Sequence, residues 1–500
     1  MIKALEEGIL YAECFAPAAI IQDEHGQCRA LNVNQMMQDA SGDWYASEST
    51  ATFPAKSILV ATGAQPNVAY AFEHDGVLDR KRYQYVPYHL NESGALVPAP
   101  DVMHCKSDAI GFFTSYQRQG RTVTFLGDTH ATFHGSVVKA MASAMQVAPV
   151  IDAQVSALDY SNRRMKDQTA FLKHCESMMS ARVSSVKALT QDRTQLIIHA
   201  PQVALRFLPG HFVRLQTFES YAVALNALPL HSEGVALPVL SVDQAAGTVS
   251  VVVSQRTVSE RILSKLRPDQ PVSLMGPTGV RAKIPDQPQT ILLCVTADLM
   301  VQACVLGKAL REAGHLVLMA VSAPCARSIY LKSELYEASD YRLWHFDAED
   351  GFMALGSNDV KAQGVFWSEI LDWLSTFDRD SILSTLTDVR VLGPADLIET
   401  VRSELSCISD LTQVAVTRCE AAVYGPMQCM LKGVCAQCLQ WQIDPLTGEK
   451  TKAVYACSWQ QQPIDRIDVT HLSYRQAQQG VLEVLNGQWL SLHEKNEIHL

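Results

Sequence analysis

The sequence predicts a multidomain chain of the α/β plus β-barrel class, and three observations carry that reading. Five hundred residues are too many for one hydrophobic core. Short β-branched runs recur about every eight to twelve residues between 181 and 285, as in a small antiparallel barrel. From residue 291 the pattern changes to strand, helix and strand, which is one βαβ unit of a doubly wound sheet.

Along the chain, Cys14–Met36 reads as two strands around the turn Glu24-His25-Gly26. Ser57–Gly63 reads as a short apolar strand ending in Gly, and Thr122–Phe125 as another, ending in Gly127-Asp128. Gly135–Met145 has helical periodicity, and the polar stretch 151–180 reads as a linker. Barrel strands are expected at Gln195–His199, Phe212–Gln216, Thr248–Val253 and Val272–Met275. The βαβ unit comprises Ile291–Thr296, a helix Leu299–Glu312 stopped at Gly314, and Leu316–Val321. A later strand, Val389–Leu392, leads through Gly393-Pro394 into a helix over 395–405. Residues 471–490 form a last amphipathic stretch. The units expected are thus 1–150, 181–285, 286–420 and 421–500.

Hydrophobic residues make up 48% and charged residues 19%, the balance of a globular protein with buried sheets. The net charge of −11 argues against nucleic acid, whose phosphates need a basic surface. No run of 18 apolar residues exists and the opening MIKALEEGILY lacks a signal-peptide pattern, so the expectation is a cytoplasmic protein without a membrane span. Nine of the 13 cysteines are scattered singly and are expected to act as buried small hydrophobes.

The other four are different. Cys429, Cys435 and Cys438 are followed, after a gap, by Cys457. Four thiolates, three in a tight loop and one distant, suit a [2Fe–2S] cluster, with Gly433 letting the loop curl close to the sulfides. Structural zinc also takes four cysteines, though more often as two C-x₂-C pairs, and free thiols are the third alternative. Met427 and Met430 read as packing.

The order of barrel, βαβ domain and cysteine loop resembles the electron-transfer subunit of dihydroorotate dehydrogenase, of the ferredoxin-reductase-like class. The block Met427–Cys438 with Ala456–Asp465 is most similar to a bacterial fusion family in which this module follows a flavoprotein like the small subunit of glutamate synthase. Ala61–Asn67 matches that flavoprotein's A-T-G-x-x-P-N turn, and Leu126-Gly127-Asp128 its second flavin motif. The resemblance implies flavin contacts at Gly63, Gly127 and Asp128. The expected G-x-G-x-x-G does not precede residue 60, so residues 1–150 resemble the tail of such a flavoprotein; either a separate chain supplies the front half or this flavin site is empty.

In the barrel, Leu208–Leu215 resembles the strand that begins the family's FAD site, implying Phe212 and Arg214. Gly247-Thr248 and Gly276-Pro277-Thr278-Gly279 resemble its later turns. Leu237–Ser241 stands at the flavin strand but lacks its Arg. Where the family places a glycine loop for NAD(P)H, this chain has Thr296-Ala297-Asp298. Side chains there obstruct a diphosphate, and Asp298 reads as the N-cap of the next helix. Its charge about 4 Å from a phosphate would cost roughly 4 kcal/mol at an effective dielectric near 20. The resemblance therefore implies an oxidoreductase component passing electrons through FAD and a [2Fe–2S] cluster to a partner subunit, with weak NAD(P)H binding. The rival expectation is a non-catalytic scaffold that keeps the fold and the cluster.

Overall fold

The computed structural model describes the chain except residues 1, 25–26, 62–65, 67, 69, 72–75, 103, 158–167, 226–227, 349–354, 424–435, 437, 478–479 and 498–500; only the backbone is described at 168, 223, 476 and 495–497. No helix among the described residues is long and apolar enough to cross a membrane. The chain divides into two compact units, residues 1–157 and 158–500.

In the first unit the expected strand pair is Phe15–Gln22 and Cys28–Gln38, and a further strand, Trp44–Pro54, completes an antiparallel sheet. Ser57–Ala61 is not a strand. An apolar run becomes a strand only when neighbours pair its N–H and C=O groups, and here Leu59 and Val60 stand 93% and 80% exposed. A second core gathers Phe112, Phe133 and Val147. His130 is sealed within it, its ring stacked 4.6 Å from Phe125, and burial holds its pKa below the ordinary value. The helix expected from Gly135 runs Val137–Ser156. The stretch read as linker carries the end of that helix and all of another, Gln168–Met179.

In the second unit six strands close a barrel in the order Ala181–Thr190, Arg193–His199, Thr248–Ser254, Val235–Asp243, Phe212–Thr217, Pro271–Thr278. Leu196, Ile198, Val249, Val251 and Val253 alternate into its core, as a pleated strand requires. Ala181–Thr190 was not expected, whereas Leu237–Ser241, placed at the flavin strand, lies within Val235–Asp243. Ala181–Thr190 fully buries only Val183, so its alternation is faint. Val235–Asp243 carries Pro238, which reads as a breaker but is tolerated opposite Phe212.

The α/β sheet has seven strands, ordered Asp359–Ala362, Tyr341–Phe346, Leu316–Ala323, Thr290–Thr296, Leu386–Leu392, Arg418–Ala422, Gln461–Pro463. All pair in parallel except the last. Thr290–Thr296 is buried on both faces: Leu292 and Cys294 enter one core, Ile291, Leu293 and Val295 the other. Helix Met300–Glu312 covers the second face, and Phe366–Ser375 and Ala395–Thr412 cover the first. Gly314, at φ +87°, stops Met300–Glu312 as expected. The cysteine-bearing segment is not a separate body, because its strand Gln461–Pro463 extends this sheet.

One buried cation fastens that extension. Arg390 donates to both carboxylate oxygens of Asp388 (2.6 and 2.8 Å), to Glu420 (2.8 Å), to the Gln461 side chain (3.1 Å) and to the Lys283 carbonyl (3.2 Å). Removing one partner of such a cluster strands buried charge. Arg390→Met is expected to lower stability by about 3–5 kcal/mol in urea melts, with Arg390→Lys giving little rescue because an ammonium cannot span those acceptors. A loss below about 1 kcal/mol would show that the carboxylates find other partners.

Candidate cofactor cavity

Strand order reverses between Thr290–Thr296 and Leu386–Leu392, so the crevice beyond their carboxyl ends is the natural ligand position of this sheet. A cavity of about 690 Å³ lies there. The barrel contributes Phe212, Val235, Ala236 and Pro238; the sheet contributes Thr296, Asp298, Gly393 and Pro394. Ala456, Cys457, Gly480 and Glu483 close it from the C-terminal segment.

Asp298 is not the helix N-cap. That position is Leu299, with no side-chain cap. The Asp298 carboxylate instead accepts from Arg256 and, at 3.3 Å, from Arg193. Charge explains the difference, since two guanidinium groups outcompete neutral amides for a carboxylate. Arg193 is nearly buried, with its guanidinium 5.5 Å from the Tyr330 ring centroid. Burial pushes the Tyr330 hydroxyl up to about 12. Neither arginine carries a sequence signal. Pairing Arg193 with Ser254 across the barrel is what brings Arg193 beside Arg256. Burial, then the charge of Glu483, raises the Glu233 carboxyl above its ordinary range.

Of the four expected cluster ligands, Cys438 and Cys457 are described, and both are buried. They follow the rung Leu439↔Tyr455 of the hairpin Leu439–Ile443/Lys450–Tyr455, which brings them together. The Cys457 amide donates to Cys438 Sγ at 3.4 Å. The Cys457 thiol and burial both push the Cys438 thiol well above its ordinary pKa. Cys429 and Cys435, like Met427, Met430 and Gly433, lie outside the described residues, among which no group of three metal-ligating side chains occurs. Of the nine scattered cysteines only Cys294 and Cys304 are fully buried, and Cys14 is exposed. Cys419, partly covered, also packs against the sheet core, and the other described ones are partly covered.

The flavin-type residues divide. Phe212 lines the cavity. Arg214 passes behind its wall, donating to Gln216 at 2.6 Å, and a Cβ on Gly234 would lie 2.1 Å from its Nε. Gly247 and Thr248 sit at the far end of a strand whose other end, Ser254, reaches the cavity, about 20 Å away at 3.3 Å per residue. The turn Gly276-Pro277-Thr278-Gly279 is met by the Gln460 side chain: a Cβ on Gly279 would stand 1.9 Å from its Nε2. Gln460 accepts from the Val280 amide (3.0 Å) and donates to the Gly210 carbonyl (3.2 Å). In the first unit the Gly127 amide donates to Ser143 Oγ (2.8 Å). Asp128 Oδ1 accepts from the Gly135 amide (3.1 Å), and Gly63 lies outside the described residues.

No family model matches the chain. Uncharacterized protein RP006 of Rickettsia prowazekii (strain Madrid E) is 24% identical over 413 residues, 82% of this chain and 48% of that protein. The chain thus spans about half the length of this curated relative. Among solved structures, an NADH-dependent reduced ferredoxin-NADP oxidoreductase is similar, at 19% identity and a TM-score of 0.48, over 62% of this chain and 98% of that one. A ferredoxin NADP+ reductase from Neisseria gonorrhoeae with bound FAD and NADP is similar at 15% identity and a TM-score of 0.32, over 46% and 91%.

The cavity's C-terminal wall is held by charge. Glu483 accepts from the Val258 amide (3.1 Å), and Glu494 pairs with Arg261 and Lys265. Burial pulls the Glu494 carboxyl up, but the hydrogen bond and charge of Lys265, with Arg261, outweigh it and leave its pKa below the ordinary value. A depressed carboxyl stabilises above its unfolded pKa and loses that contribution as pH falls through the folded value. Helix Gly480–Glu497 should therefore loosen in acid by about 1 kcal/mol, with Glu494→Gln already loosened at neutral pH and showing no further change through that range. Trp489 fluorescence against pH reads the difference.

Proposed function

We propose that this chain is an electron-transfer component of an oxidoreductase, with FAD in the cavity and a [2Fe–2S] cluster on Cys429, Cys435, Cys438 and Cys457. The observation that carries the reading is the position of Cys457, at once a wall of the cavity and the neighbour of Cys438. The pair fits a metal cluster chemically. The Cys438 thiol, buried beside Cys457, resists ionisation, and iron supplies the charge that makes thiolates there tolerable. The Cys457 amide is already aimed at a sulfur.

A bound flavin would take up two electrons together and release them singly. Phe212, Ala236 and Pro238 offer an apolar wall for its ring system, and Gly393-Pro394 also line the cavity. Cys457 gives electrons an exit, to a partner protein. Thr296-Ala297-Asp298 and their arginines oppose NAD(P)H, so the donor is inferred to be another subunit. Residues 1–157 are read as the glutamate-synthase-like tail that a separate chain would complete, and the location as cytoplasmic.

A second reading, a non-catalytic scaffold retaining the cluster, is favoured by Gln460, which fills the turn that the resemblance reserves for flavin. The two part on one measurement. Protein purified anaerobically should contain about two irons and two acid-labile sulfides per chain, lost in Cys457→Ser. Added FAD should bind with quenching of its fluorescence, at least about tenfold weaker in Ala236→Trp with the cluster intact. No binding at tens of micromolar, with iron and sulfide present, would leave the scaffold. One zinc and no sulfide would remove the cluster itself.

A further inference from the structure

The Arg193–Asp298–Arg256 group lies where the sheet would otherwise receive an anion. Asp298 stands just past the carboxyl end of Thr290–Thr296, beside the point where strand order reverses. Helix Met300–Glu312 begins two residues later with no side-chain cap, so its positive end faces the same place. Two guanidinium groups converge on it from the barrel, one nearly buried and braced by Tyr330, the other on the cavity wall. Helix terminus, paired arginines and crevice together make an anion subsite whose present occupant is the chain's own carboxylate.

We propose that Asp298 is an internal substitute for a nucleotide phosphate, held by Arg193 and Arg256, and that it closes this subsite to diphosphate-bearing ligands. Obstruction by bulk alone would leave the arginines without a role. A carboxylate matched to them blocks the subsite twice over, by occupying the donors and by repelling the incoming charge. Arg193 and Asp192 also pair, so the four charges of this group balance, and removing one negative charge leaves the two guanidinium groups with a single carboxylate between them. The ligand class that would then enter is a nucleoside diphosphate, the diphosphate half of a dinucleotide. This deepens the reading that NAD(P)H is not the donor, and it requires neither flavin nor cluster.

The test is calorimetric titration of the full chain with ADP and with inorganic pyrophosphate. Wild type should give no saturable heat at about 1 mM ligand, whereas Asp298→Asn should bind both at least about tenfold more tightly, and less so at high salt. Adding Arg256→Gln to Asp298→Asn should abolish the gain. Asp298→Ser gives the same readout should the amide disturb the packing, with circular dichroism confirming the fold. Folded Asp298 variants that bind no better than wild type would overturn the proposal. So would a gain that survives loss of Arg256, or wild type binding as tightly as the variants. Absent iron or flavin in the same preparations would count against the electron-transfer reading alone.

Discussion

The second unit depends on a single buried guanidinium. Arg390 sits on the strand next to the reversal of the sheet, 1% exposed, and its donors reach three separate stretches of chain. Lys283 ends the barrel, Glu420 lies on the sixth strand, and Gln461 begins the returning strand. Charge in that position is costly unless fully satisfied, and full satisfaction requires barrel, sheet and C-terminal segment to be assembled at once. The cluster thus specifies how the parts meet rather than adding much net stability. An apolar substitute could fill the volume but could not discriminate this arrangement from a slipped one.

From that joint the cysteine segment is built outward by amides. Gln442 donates to Gln462 (3.1 Å), and Gln462 donates to Gln440 (3.2 Å) and to the Trp459 carbonyl (3.2 Å), tying the hairpin to the edge strand. Gln440 donates on to the Val423 carbonyl at 3.2 Å. All three glutamines are buried, so the ladder fixes the hairpin in one register. Register is what matters, because Cys438 adjoins its open end and Cys457 lies one residue past Ala456. A slip by one residue would turn a cysteine away from the cavity.

Much of this fold was legible in the sequence, and the reasons for the gaps are physical. The sheet strands were readable because burial on both faces leaves unbroken apolar runs, as in Ile291–Val295. The faintly alternating Ala181–Thr190 was hidden, since it does not meet the period-two pattern. Ser57–Ala61 misled because an apolar run signals a strand only if neighbours exist to pair with it. At the site, cysteine spacing singled out Cys438 and Cys457, but Arg193, Arg256, Gln460 and Glu483 were invisible. Each is an ordinary polar residue whose role arises from contacts across 40 to more than 200 positions. The misreading of Asp298 has the same origin: a local N-cap is what sequence offers, and the distant arginines are what the fold supplies.

These contacts share one direction of effect. Among the described residues that line the cavity, Glu233, Glu260, Glu483, Asp298 and Asp347 are acidic and Arg256 is basic. Glu260 is engaged in a capping box with Thr257, Glu483 holds the Val258 amide, and Asp298 holds the arginines. Glu233 already feels Glu483 as a like charge. A diphosphate entering this space would meet carboxylates on several sides in a partly enclosed medium, where each such encounter costs more than in water. An uncharged ring system would meet Phe212, Ala236 and Pro238 instead. The lining therefore favours an uncharged apolar group over a phosphate-bearing one. Gln460 covers the turn at Gly279 as well, so at that turn and at Asp298 the space is taken by the protein's own side chains. Acidity and self-occupancy act together, and what they leave open is an apolar slot ending at Cys457.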